Sequence, residues 1–337
     1  MNTSKISSIV ILFFVLFACT KKNDLQEENM LNEKLVISVI DKTISEEEVK
    51  FSLVNVNKLI NLNNSDISLV LEKNLYKVYL EEDFNAVEQE LKEIIHRDSM
   101  NLYANIMLAM MKYDSFEFEE AALIANRINK IDPRSAIGYY FLGLSSTSAD
   151  SNSIKLFERA IEYQPDFISP YFQIGMRQFL TYKSDESYKS YEKAYKNIKY
   201  AIEKSPHNPH YGFGLWWFYE YTQDYCGQLV AVTDLLNKAI PKDSVKYLIY
   251  RSQIYEKVNK FREAESDMLD FARIDTGGSG NYHLAVFYYR NKKYDLALNV
   301  MKKMIEEGYD RKDFLKNIDI DFPDIKNKRE FMELLEE

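Results

Sequence analysis

Cysteine, proline, glycine and histidine are all scarce in this chain, and each shortage excludes something. Two cysteines, Cys19 and Cys226, allow one disulfide at most, and Cys19 has another task, so no cystine framework holds this fold. Cys226 then reads as a small buried hydrophobe, since Asp224 and Tyr225 beside it offer no electropositive setting for a reactive thiol. Ten glycines and seven prolines in 337 residues leave few breakers, as in helical chains. Basic charge is also short: 43 Lys and Arg against 52 Asp and Glu give a net charge of -9. A nucleic-acid binder needs a basic footprint, so that class is set aside. Of four histidines, His207 and His210 are three apart, but Pro206 and Pro209 place them in a loop and no acid or cysteine stands at ligand spacing. No Ser-His-Asp set and no paired acids in a pocket are present, and Gly277-Gly278-Ser279-Gly280 follows a helix, as a turn does. Neither an enzyme nor a cofactor is implied.

Present instead are aromatics, 25 Tyr and 20 Phe, and a pattern that recurs. At offsets 0, 3, 7 and 10 stand Phe84, Val87, Leu91 and Ile94, then Phe118, Ala121, Ala125 and Ile128. Tyr191, Ala194, Ile198 and Ala201 follow, then Phe261, Ala264, Met268 and Phe271, and last Tyr294, Ala297, Met301 and Met304. At about 100° per residue each set falls within roughly 80° of one helix face. One packing rule used repeatedly predicts a helical array in which each unit touches mainly its neighbours.

Residues 1–18 form an address. Lys5 is a positive start, Ile9–Phe17 is apolar but too short to span about 30 Å of hydrocarbon, and Leu16-Phe17-Ala18-Cys19 resembles the bacterial lipobox. Leu16, Ala18 and Cys19 match it, and Phe17 is bulkier than usual there. The resemblance implies cleavage before Cys19, acylation of that residue, and an anchor in the bacterial outer membrane, facing the periplasm or the surface. Residues 19–34 are polar and read as a tether. In 35–66, Leu35–Ile40 fits a strand or a helix, and Ser45-Glu46-Glu47-Glu48 marks a helix start; an N-terminal helix is favoured.

Turns at Pro133, Pro165, Pro206 and Pro241 punctuate residues 67–307 at intervals of 32, 41 and 35 residues. The long interval predicts an insertion between helices at Tyr182–Ser187. Large–small pairs (Leu108-Ala109, Leu142-Gly143, Ile174-Gly175, Leu284-Ala285) precede the aromatic-led helices. This resembles the tetratricopeptide repeat, a helix–turn–helix unit of about 34 residues. It implies an all-α, right-handed α-solenoid of about seven units. The second helix of the third unit offers only Phe157 and Ala160, and the fifth has Gln228 where alanine is expected, which predicts looser joints. Residues 308–337, with Gly308, Tyr309, Phe322, Pro323 and Phe331, resemble the tail that covers the last repeat.

The resemblance also implies a concave face built from the first helix of each unit. Carried over, it is lined by Tyr103, Met110, Tyr140, Phe172, Met176, Phe179, Phe213, Trp217, Tyr282 and Tyr289. Open, such a face is a groove for a partner protein or peptide. Covered by winding or by the N-terminal segment, it is core. The lysines and asparagines that clamp a C-terminal carboxylate in some subclasses are missing. The expected function is a membrane-anchored, protein-binding scaffold of the cell envelope. The alternative is a surface subunit capturing glycans or peptides, with Trp216 and Trp217 as stacking platforms. For the anchor, Cys19→Ser is expected to abolish acyl labelling and to shift the protein from the membrane to the soluble fraction; retention in the membrane contradicts the lipobox.

Overall fold

The computed structural model describes residues 31–62, 66–146, 151–185, 188–206, 208–239, 241–275, 278–310, 312, 316, 318–323, 325 and 328–336. The expected signal segment and Cys19 lie outside them. Among the described residues every regular element is a helix. The chain divides into two compact bodies, Met1–Asn208 and Pro209–Glu337.

The first body holds α1 (Glu33–Ile40), α2 (Glu46–Leu62), α3 (Ile67–Tyr79), α4 (Phe84–Arg97), α5 (Leu102–Asp114), α6 (Phe118–Ile131), α7 (Ala136–Ser145), α8 (Ser151–Tyr163), α9 (Ser169–Asp185) and α10 (Tyr188–Lys204). The second holds α11 (Pro209–Tyr221), α12 (Tyr225–Lys238), α13 (Pro241–Lys257), α14 (Phe261–Ile274), α15 (Ser279–Arg290), α16 (Tyr294–Glu306), α17 (Ile318–Asp321) and α18 (Arg329–Glu336). From α3 to α16 they run as seven consecutive pairs in which each helix packs on its partner. The all-α, paired-helix architecture implied by the repeat is therefore what both bodies form.

The repeated residue sets explain the packing. In each set the residues at offsets 3, 7 and 10 are buried, while the leading aromatic is half-buried or exposed at the first turn of its helix. The small residue of the facing helix sets the distance. A Cβ on Gly175 would stand 3.0 Å from the Ile198 backbone nitrogen and 3.1 Å from the Ala194 carbonyl, so α9 and α10 are in backbone contact there.

The turn inside a pair repeats as closely as the faces do. Glu81, Phe116, Gln223, Asn259 and Lys292 each adopt a left-handed conformation, with φ between 56° and 62°. The following amide returns to the carbonyl five residues back: Glu117 to Lys112 (2.9 Å), Asp224 to Tyr219 (2.9 Å), Lys260 to Tyr255 (2.8 Å) and Lys293 to Tyr288 (2.8 Å). This is the six-residue closure that ends helices, usually at glycine. Here larger residues accept about 1 kcal/mol of strain each, and the turn aims the next helix back along the first.

Three local features differ from the sequence expectations. The described residues of the long interval are taken up by longer helices: α9 and α10 each have 17 residues, where α5 has 13 and α6 has 14, and residues 186–187 of the expected insertion lie outside the described residues. Residues 33 and 34, expected in the tether, begin α1, which Asn32 caps through the Leu35 amide at 2.9 Å. His210 lies in the first turn of α11 and not in a loop, and His207 lies outside the described residues. The helix start at Ser45 is a reciprocal capping box, with the Glu48 carboxylate accepting from the Ser45 amide at 2.9 Å while the Ser45 hydroxyl accepts from the Glu48 amide at 3.2 Å.

Charged groups that enter the core are paired. Lys112, buried along its side chain, meets Glu88 (2.9 Å), Glu117 (3.0 Å) and Glu120 (3.3 Å), joining α4, α5 and α6. Arg251 of α13 grips Asp267 of α14 through Nε–Oδ2 at 2.9 Å and Nη2–Oδ1 at 2.6 Å. Glu72 of α3 is different. It is 3% exposed, its Oε1 accepts only the Tyr76 hydroxyl at 2.9 Å, and burial pushes its carboxyl up to about 7. The unfolded chain releases that proton near pH 4.3. The folded-state advantage is therefore complete below about pH 4 and is lost as the pH rises through 7. Glu72→Gln is expected to exceed the wild type in stability at pH 8 by on the order of 2 kcal/mol, and to lose that advantage by pH 4.5. Denaturant midpoints at both pH values measure it, and a gap that does not change with pH contradicts the assignment.

Candidate functional site

The first helices of successive pairs carry the residues predicted to line a concave face. In the first body that face is already occupied. Val36, Ile37 and Val39 of α1 are buried in one apolar core with Ile106, Met110, Ile137, Tyr140, Leu144 and Phe167. The expectation of an open groove is corrected for Met110 and Tyr140, which are core residues packed in the same cluster as the chain's own N-terminal helix. Tyr103 is half-buried with its hydroxyl against the Glu33 backbone. Phe172 and Phe179 are buried and Met176 half-buried.

Polar contacts seat α1 at both ends. Asn101 caps α5 through the Ala104 amide (3.0 Å), and Ser135 caps α7 through the Gly138 amide (3.2 Å). At the matching joint before α9 stand Phe167 and Ile168, which have no acceptor side chain. Asp41, the residue after α1, supplies it: its Oδ2 accepts from the Ile168 amide at 2.8 Å and its Oδ1 from the Ser169 amide at 2.7 Å. Asp41 is 1% exposed. Its own carbonyl accepts from the Ser205 hydroxyl at 2.7 Å and from Asn208 Nδ2 at 3.2 Å. At the other end the Glu33 carboxyl faces the backbone of Ala136 and Ile137, the first turn of α7; burial, then Asp132, raises it above the ordinary carboxylate range. One short helix thus presents two acids, eight positions apart, to the amino ends of two successive first helices, where backbone amides and the helix dipole favour negative charge.

In the second body, the C-terminal segment covers α15. The Tyr282 hydroxyl donates to Asp321 Oδ2 at 2.6 Å, and the Tyr289 hydroxyl donates to the Pro323 carbonyl at 2.8 Å. Phe322 and Phe331 pack edge-on to Tyr289 at 5.3 and 5.5 Å. Tyr289 is buried and Tyr282 half-buried. Of the expected lining, exposed aromatics persist on α11: Phe213 is 40% and Trp217 37% exposed, and Tyr221, one turn further, is 38%. These three fall within about 80° of one helix face. Trp216, in contrast, is buried and stacked against Phe213 (5.2 Å) and Tyr250 (4.9 Å).

Two further expectations change. Cys226 is exposed, not buried, because it lies about 200° around α12 from the buried stripe of Gln228, Ala231, Val232 and Leu235. Gln228, in the alanine position, is 0% exposed, and neither its Oε1 nor its Nε2 has a hydrogen-bond partner. Among the described residues no group of three His, Cys, Asp or Glu side chains is placed to hold a metal ion, and no helix is long and apolar enough to cross a membrane. Asp41 is the residue that sequence reasoning missed. The signal was Phe167-Ile168, two side chains with no acceptor, directly before the helix that starts at Ser169.

No family model matches the chain, and no curated relative does. Its fold is similar to that of human IFIT1 in a dimer with m7Gppp-AAAA, at 13% identity and a TM-score of 0.63, covering 87% of this chain and 68% of that one. It is also similar to the APC/C hetero-tetramer Cut9-Hcn1, at 11% identity and 0.54, covering 86% of this chain and 52% of that one. Yeast Tom70 is similar at 16% identity and 0.50, covering 98% and 76%. The chain thus spans about half the length of the matched Cut9-Hcn1 chain. At such identities the likeness establishes the fold alone, a tetratricopeptide-like array of helix pairs.

Asp41→Ala is expected to leave the Ile168 and Ser169 amides buried without an acceptor, at a loss of about 2–4 kcal/mol in denaturant unfolding. Asp41→Asn keeps one acceptor and is expected to lose about half as much. A change below 0.5 kcal/mol for Asp41→Ala contradicts the capping role.

Proposed function

We propose that this chain is a lipid-anchored scaffold of the bacterial cell envelope, binding a partner protein or peptide through the exposed aromatic face of α11. The observation that carries the binding reading is the exposure of Phe213, Trp217 and Tyr221 on a helix whose Tyr211, Trp216 and Phe218 are buried on either side of that stripe. Large aromatics held on a rigid helix are effective anchors, because they lose little conformational freedom when covered. The anchoring reading rests on Lys5, the apolar run Ile9–Phe17 and Leu16-Phe17-Ala18-Cys19. Acylation at Cys19 and placement in the outer membrane follow from that resemblance, and the residues up to 30 give the body reach from the lipid. A net charge of -9 speaks for a protein partner over nucleic acid.

The glycan-capture alternative has less support. It needs Trp216 as a platform, and that ring is already stacked within the body against Phe213 and Tyr250.

Phe213 stacks on buried Trp216, so the test changes Trp217 alone and checks by circular dichroism that the fold is kept. A crosslinking pull-down from native membranes with Trp217→Glu is expected to lose the proteins captured by the wild type, with affinity falling at least tenfold, in line with hot-spot losses of about 2 kcal/mol. An unchanged set of captured proteins contradicts the assignment of the binding face.

A further inference from the structure

The seat of α1 has the form of a ligand site and not of an ordinary helix contact. The joint before α9 is built without a capping residue of its own, where the two preceding joints have Asn101 and Ser135. Two backbone amides, of Ile168 and Ser169, converge there on one carboxylate that comes from 127 and 128 residues earlier in the chain. Behind it Ser205 and Asn208 supply two donors for the main-chain carbonyl of the same residue. The amino end of α7 faces a second carboxyl, Glu33. Between the acids the seat is apolar and receives branched side chains only, Val36, Ile37 and Val39.

The occupant owes its helical form to its contacts with this seat. Eight residues are too few to be helical without docking. Three buried aliphatics, with Leu31, Leu35 and Ile40 partly buried beside them, and one buried acid offset the ordering of the whole segment. On its carboxyl side α1 is joined to α2 by a short turn through Lys42, which is left-handed at φ 52°.

We propose that α1 is an exchangeable ligand in cis. The inner face of the first body is a receptor for a short helix that carries branched aliphatics on one side and ends in an aspartate. Residues 33–41 hold it closed until a partner helix of that chemistry displaces them. The inference rests on the protein-binding reading above, and assigns to the first body a second site, distinct from the α11 face.

The test uses the full chain with α1 released by Val36→Asp/Val39→Asp, titrated with a fluorescein-labelled peptide of residues 31–43. The released variant is expected to bind the peptide at least tenfold more tightly than the wild type, whose site is filled. The same peptide carrying Asp41→Asn is expected to bind at least fivefold more weakly. Equal, undetectable binding to variant and wild type overturns the proposal. Should the variant lose its cooperative unfolding, hydrogen exchange of the wild type decides. Amides of α1, Ile168 and Ser169 exchanging together and ahead of those in α5 and α7 support exchange; exchange only with global unfolding overturns it. Capture of partners through Trp217 is scored separately and survives a negative peptide titration, so the two readings fail independently.

Discussion

A helix that begins without a capping side chain leaves amides that must find an acceptor elsewhere. In the first body the acceptor for α9 is Asp41, buried and held at 2.8 and 2.7 Å by Ile168 and Ser169. Much else depends on this pair. It fixes where α1 stops, and so which of its residues point inward. It brings Ser205 and Asn208 onto the same residue, tying the joint after α10 to the N-terminal helix. It also converts an inner face of Met110, Ile137 and Tyr140 from exposed surface into core. A buried carboxylate is stable only when it is fully hydrogen-bonded, so the arrangement tolerates little slippage of α1.

Both bodies solve the same problem in this way. Stacked helix pairs leave the inner face of the first helices uncovered, and a terminal face as well. In the first body α1 lies on it; in the second, Phe322 and Phe331 with Asp321 and Pro323 close over Tyr282 and Tyr289. The aromatics left exposed on α11 therefore stand out against faces that the chain covers by itself. That contrast supports reading them as a place for another molecule.

The periodic part of this architecture was legible in the residues. Buried positions such as Ala121, Ala125 and Ile128 follow from a spacing that only a helix satisfies, and their recurrence sets the pairing. Turn geometry was not legible, because Phe116, Gln223 and Lys292 take a conformation that sequence preference assigns to glycine. Inner-face occupancy was legible only as an alternative: nothing local in Leu35–Ile40 says what it docks against, since its seat is set by packing on α3 and by Asp41, bonded to Ile168 127 positions away. Cys226 was misread because neighbouring residue types say little about which side of α12 faces solvent. The candidate site was legible in kind, as aromatics on first helices, but not in extent, since only contact with the chain's own ends separates Tyr289 from Trp217.

The most direct test of the self-filled inner face is thiol protection at α1, with the exposed Cys226 as reference in the same molecule. In a chain bearing Val39→Cys, labelling by a soluble thiol reagent is followed peptide by peptide under native conditions. Residue 39 is buried in the core of the first body, so it is expected to react at least tenfold more slowly than Cys226 and to reach the same rate in denaturant. Equal rates under native conditions contradict the account, because they place α1 outside the face that Asp41 is held to close.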